Sequence, residues 1–148
     1  MVIDDILNQE RTSCKISLSS KKRIFDFISD FLASSLPEIN ADDLFEHLTQ
    51  REQLGSTGIG NGIAIPHCRC SNVTQTTGAL ITLQDPIDFD AADNHPVDII
   101  FVLLVPKEAN DEHLKTLSHL AERLDQTTFR NQLRKADDNL SLFQAAIQ

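Results

Sequence analysis

The stretch VDIIFVLLVP, residues 97–106, holds seven consecutive apolar residues, Ile99 to Val105, and is rich in valine and isoleucine. A short β-branched run without polar alternation is the pattern of a strand buried on both faces, at the centre of a sheet covered by helices. Working outward, GALITL (Gly78–Leu83) and the short IAI before Pro66 read as further strands, and TSCKISL as a weaker one. Helical patterns alternate with them. KKRIFDFISDFLASSL follows the capping serines Ser19 and Ser20, with Ile24, Phe27, Ile28 and Phe31 on its buried face. A second helix should start at the N-cap Asn40, carry Asp42 and Asp43 in its first turn, run to about Glu52 and stop at Gly55. Three more should cover about Asn110–Leu124, Phe129–Lys135 and Leu140–Ile147. Strands interleaved with helices give an α/β chain: a mixed sheet flanked by helices on both faces.

The 148 residues show no repeat, linker or low-complexity block and are expected to form a single domain, 1–148. A net charge of −9 argues against nucleic-acid or anionic-membrane binding by bulk attraction. No apolar run reaches the roughly 20 residues of a membrane-spanning helix. The start MVIDDILNQER lacks the basic and apolar segments of a signal peptide, so the expected compartment is the cytoplasm. An odd count of three cysteines, Cys14, Cys68 and Cys70, then suggests reduced thiols.

Chemistry concentrates in TGIGNGIAIPHCRC, Thr57 to Cys70. Three of the chain's five glycines, Gly58, Gly60 and Gly62, crowd just before one Pro66-His67 pair. They permit positive φ and close backbone approach. Pro66 holds Ile65 extended, so His67 should sit at a sheet rim where the chain leaves the strand. The glycines match neither a phosphate loop, for want of a following lysine, nor a dinucleotide fingerprint, since a strand follows them. Metal binding by His67, Cys68, Cys70 and His113 is disfavoured by the one-residue gap between the cysteines, and no metal or cofactor is expected. A cysteine nucleophile lacks a helix N-terminus to activate it. Histidine nucleophilic catalysis remains: a neutral imidazole attacks phosphorus and forms a labile phosphoramidate, provided cations hold the phosphoryl oxygens.

Helical wheels offer two such groups. Arg51 falls on the same side as Leu44, Phe45 and Leu48, in the last turn of its helix; it fits equally a snorkelling side chain or one that neutralises the helix C-terminus. His113 falls inside the stripe of Leu114, Leu117, Leu120, Ala121 and Leu124, as either a core histidine or a functional one, whereas His119 lies on the polar side.

REQLGSTGIGNGIAIPHCR (Arg51–Arg69) and VPKEANDEHLKTLSHLAERL (Val105–Leu124) resemble the enzyme IIA domain of the fructose/mannitol class of the bacterial phosphotransferase system. The unbroken GIGNGIAIPH is most similar to the nitrogen-type, regulatory enzyme IIA, and the likeness extends over nearly the whole chain. It implies a mixed sheet flanked by helices and a phosphohistidine at His67. It implies Arg51 and His113 as the residues that bind phosphoryl oxygens and polarise the site, with the donor a phosphocarrier HPr or its nitrogen-branch homologue. Thr57 is a further candidate phosphate ligand, alongside a plain role in the GSTG turn. Cys68 stands where glycine is common in the family and adds an oxidisable thiol; Cys70 has no counterpart to carry over. The expected function is a regulatory phosphocarrier acting on target proteins. The alternatives are a sugar-transport enzyme IIA with a separate enzyme IIB, or a binding module independent of phosphorylation.

Overall fold

The computed structural model describes residues 3–109 and 111–148, with the side chains of Glu112 and His113 outside that description. Strands β1 (Thr12–Ile16), β2 (Gly58–Gly60), β3 (Ile63–Ala64), β4 (His67–Cys70), β5 (Thr77–Ile87) and β6 (Val97–Pro106) make one mixed sheet. Its order is β1-β5-β6-β3-β2, with β4 also paired to β6. The β5/β6 and β2/β3 pairs are antiparallel; β1/β5, β3/β6 and β4/β6 are parallel. Helices are α1 (Lys21–Ser35), α2 (Ala41–Gln53), α3 (Asp111–Leu124), α4 (Thr127–Lys135) and α5 (Asn139–Ile147).

The apolar run of β6 is the centre of the molecule, as its sequence implies. Alternation divides it between two cores. Ile100, Val102 and Leu104 face α1 and α2, where they join Ile24, Ile28, Leu32, Leu44 and Leu48. Ile99, Phe101 and Leu103 face the other way and join Leu120, Leu124, Phe129, Leu133 and Leu142 of α3 to α5. Each such side chain contributes about 1.5–3 kcal/mol by leaving water, and β6 supplies both layers at once.

Local signals set the helix starts. The side chains of Ser20 and Asn40 accept from the backbone N–H groups of Arg23 and Asp43, three residues on. The buried face of α1 differs from the wheel. Ile24, Phe25, Ile28 and Leu32 point into the core, while Phe27 and Phe31 lie half-buried at the flank and stack on each other with centroids 5.3 Å apart. The real stripe is turned by about one residue, because ring-on-ring contact lets two phenylalanines occupy the edge of the face.

Glycines shape the approach to β4. Asn61 (φ 59°) and Gly62 (φ 81°) form the two-residue turn of a β2–β3 hairpin, the positive-φ pair that matches strand twist. A Cβ on Gly58 would lie 2.7 Å from Ala91 Cβ, so only glycine lets that segment pass. The chain does not leave the sheet at His67. Pro66, which has no N–H, interrupts the strand, and β4 then resumes the parallel ladder along the same β6.

Candidate functional site

The break at Pro66 puts His67 first in β4. Leu103 N–H donates to Pro66 O at 2.9 Å, and His67 pairs in register with Leu103. Among the described residues β4 pairs within the sheet with β6 alone, so its other edge carries no ladder. Alternation sends His67 and Arg69 to one side of the strand and Cys68 and Cys70 to the other. The two cysteines pack in the core that faces α1 and α2. A cleft of about 680 Å³ lies over this edge, walled by His47 and Arg51 of α2, His67 and Arg69 of β4, and Leu114 and Leu117 of α3. Leu114 belongs to the apolar stripe of α3 yet is 56% exposed, and Leu54 just after α2 is 86% exposed; both flank the cleft mouth.

His67 is half-buried, and its Nδ1 lies 2.8 Å from the carbonyl oxygen of Ile65. A carbonyl only accepts, so Nδ1 carries the proton and the lone pair resides on Nε2. The extended Ile65-Pro66 segment thus fixes the tautomer. Arg51, in the last turn of α2, donates from Nη1 to Gly55 O at 2.9 Å, which steadies the guanidinium and leaves its remaining donors for a ligand.

Arg69 was not singled out in the sequence. Its Nη1 donates to Lys107 O at 3.2 Å and Ala109 O at 3.1 Å, tying β4 to the segment that leads into α3. The signal available was its position, two residues beyond His67 on the same strand face.

Thr57 is elsewhere. It is buried, its hydroxyl donates to Glu52 Oε1 at 2.6 Å, and it does not line the cleft. Glu52 itself is buried. Its carboxylate also accepts from Thr57 N–H at 3.1 Å and pairs with Lys21 Nζ at 2.6 Å, and that ammonium lies 4.7 Å from the Phe89 ring centroid. This cluster pins the 52–57 connection whose Gly55 carbonyl holds Arg51. Position 113 falls in the first turn of α3, the helix that walls the cleft, and the His113 side chain lies outside the described residues.

The sulfurs of Cys68 and Cys70 lie 3.6 Å apart. A shared S–H···S bond, then burial, pushes the Cys68 thiol up, and the same bond pulls Cys70 down. Among the described residues no cluster of three or more His, Cys, Asp or Glu side chains could hold a metal ion.

Electrostatically the cleft inverts the molecule. The chain has 22 acidic residues against 13 Lys and Arg, yet the described lining residues include two arginines, two histidines and no carboxylate. Arginine forks and an imidazole with a free lone pair, on apolar low-dielectric walls, suit a phosphoryl group passing to nitrogen.

The family model described as "Phosphoenolpyruvate-dependent sugar phosphotransferase system, EIIA 2" matches residues 5–147. A "Nitrogen regulatory protein" of Pseudomonas aeruginosa is 45% identical over 145 residues, 98% of this chain and 94% of that protein. The crystal structure of the nitrogen regulatory protein IIA-Ntr from Neisseria meningitidis superposes with a TM-score of 0.90 at 40% identity, over 97% of this chain and 98% of that one. The fold is shared more widely: the enzyme IIA of mannitol from Escherichia coli, solved in complex with phosphorylated enzyme IIB, gives a TM-score of 0.77 at 15% identity, covering 95% of this chain and 96% of that one.

Proposed function

The chain belongs to the EIIA 2 family of the phosphoenolpyruvate-dependent sugar phosphotransferase system, and from that premise we propose that it is a regulatory phosphocarrier that takes a phosphoryl group on Nε2 of His67. One observation carries the reading: the Ile65 carbonyl occupies the Nδ1 proton of His67, at 2.8 Å, inside a cleft lined by arginines and free of described carboxylates. The Nε2 lone pair attacks phosphorus, the donor's N–P bond breaks in line, and its electron pair returns to the donor imidazole. As the new N–P bond forms, the His67 ring gains positive charge, which the Nδ1–H···O=C bond to Ile65 stabilises. Arg51 holds the phosphoryl oxygens, Arg69 keeps β4 and the approach to α3 in register, and His113 polarises the group from α3. Thr57 acts at one remove, through Glu52, rather than on phosphate.

The donor in this reading is HPr or its nitrogen-branch homologue, and the carrier works in the cytoplasm. Similarity to nitrogen regulatory proteins across nearly the whole chain favours a regulatory output, in which phosphorylation changes the binding of target proteins, over transfer to a separate enzyme IIB. The test is transfer in vitro. Purified chain is mixed with enzyme I, HPr or its homologue and labelled phosphoenolpyruvate, and wild type is compared with His67→Ala and His113→Ala. We expect an acid-labile, base-stable label that is absent from His67→Ala and slow to appear on His113→Ala. An unlabelled wild type with both donors refutes the carrier and leaves a binding module.

A further inference from the structure

Cys68 and Cys70 play no part in phosphoryl transfer, yet they are the two thiols nearest to it. We infer that they are a modification site of the cleft: a dithiol that peroxide closes to an intramolecular disulfide, which slows phosphoryl acceptance at His67. The disulfide stands on geometry alone; its effect on His67 rests on the phosphocarrier reading.

Residues two apart on a strand share a face, with Cα atoms about 6.4–6.8 Å apart at the usual rise. That is the upper part of the range a disulfide spans. The sulfurs already face each other at 3.6 Å. Among the described residues β4 carries a ladder on one side only, so its pleat can tighten without breaking a second one. Access is divided between the two sulfurs. Cys68 lines the cleft, whereas Cys70 is only 6% exposed and resolves the oxidised partner from behind. Cys14 is on β1, at the other end of the sheet, with its sulfur on Ala136 O, and does not compete within the chain.

The steps balance. Peroxide oxidises the Cys68 thiol to a sulfenic acid and is reduced to water. The Cys70 sulfur then attacks the sulfenic sulfur, the S–S bond forms as S–O breaks, and hydroxide leaves with the remaining thiol proton as a second water. Closing the bond tightens β4 at the residue next to His67, on the face that packs toward α2 and its terminal Arg51. Nucleophile and oxyanion clamp then lose alignment.

The experiment uses the Cys14→Ser chain, exposed to hydrogen peroxide, alkylated with iodoacetamide in denaturant and weighed intact. Expected are joint loss of both alkylation sites, a mass lower by two hydrogens, a monomer, and full recovery with dithiothreitol. Covalent dimers, whole-oxygen gains on Cys68, or two sites still open to alkylation overturn the disulfide. In parallel, the rate of labelling from phosphorylated HPr is compared before and after oxidation. We expect a reversible fall of about tenfold or more, as for misaligned reacting groups, and no peroxide effect in the chain that also carries Cys68→Ala and Cys70→Ala. An oxidised chain labelled at the full rate overturns the regulatory half. A reduced chain that takes no label defeats the carrier reading instead, and leaves the alkylation result to decide the disulfide.

Discussion

Replacing Glu52 by alanine takes a buried carboxylate away from three donors at once. The backbone N–H and hydroxyl of Thr57, which is 4% exposed, lose their acceptor. Each buried donor left unpaired costs about 1–3 kcal/mol. Lys21 loses its 2.6 Å partner, but its side chain is 22% exposed and Asp90 Oδ2 lies 3.9 Å away, so the ammonium keeps water and a second carboxylate. The ion-pair loss therefore adds about 1 kcal/mol at most, nearer the surface than the buried limit. Together these give a destabilisation of about 2–7 kcal/mol, or about 4–28 °C in Tm for a domain of this size. Urea unfolding followed by circular dichroism measures it, with Glu52→Gln as the comparison: it restores an acceptor and should lose less than half as much. The same change frees the connection whose Gly55 carbonyl holds Arg51, so phosphoryl acceptance at a temperature where the variant is folded should also slow. A loss of stability below about 1 kcal/mol for Glu52→Ala refutes the reasoning, since at least one Thr57 donor must then find a new partner at no cost.

Gly62→Ala should cost about 2–3 kcal/mol in the same assay: φ is +81°, and the added Cβ meets Arg134 Nη2 and comes within 2.8 Å of Asp98 Oδ1, displacing an ion pair as well as straining the turn. Arg69→Ala removes the tie from β4 to Lys107 O and Ala109 O, and we expect labelling of His67 to slow by about tenfold with His67 still the only labelled residue, measured by quench-flow and peptide mapping. Asp138 caps α5, and hydrogen bonds from the Ser141 backbone N–H, then the Ser141 hydroxyl, hold its carboxyl below the ordinary aspartate value of 3.8. A depressed carboxyl contributes stability above its unfolded pKa that is lost as pH falls through the folded one. Carboxyl NMR should therefore show a midpoint under 3.8, with faster amide exchange in α5 below it, and a midpoint at or above 3.8 contradicts the cap.

Much of this was readable in the sequence because it is local. The β-branched run of β6, the N-caps Ser20 and Asn40, and the turn chemistry around Asn61 and Gly62 each act within a few residues. The position of His67 followed from Pro66, although the resumption of β4 beyond the proline did not, since only the register with β6 reveals it. Glu52 marked only the approximate end of a helix in the sequence, because its partner Lys21 comes from another helix and no periodicity links the two. Arg69 offered no local signal of its role for the same reason: its acceptors are the carbonyls of Lys107 and Ala109, 38 and 40 residues along the chain, just past the end of the strand it pairs with. The half-buried Phe27 and Phe31 show the converse limit, where an apolar period is satisfied by the rings' mutual contact at the edge of the core rather than by full burial within it.

The cationic cleft in an acidic chain has a kinetic consequence. Beyond the Debye length, about 8 Å at physiological ionic strength, an approaching anion feels little of either arginine. In dilute salt it first meets the field of the whole chain, with its formal −9 charge, and is repelled. Inside the cleft the sign reverses. Encounter with a phosphoryl-bearing partner should therefore quicken as moderate salt screens the outer repulsion, while release slows once the group is seated. Such a reversal acts as a range filter for anions: the field of the whole chain opposes them at a distance, and the cleft flanked by Leu54 and Leu114 attracts them only at close range.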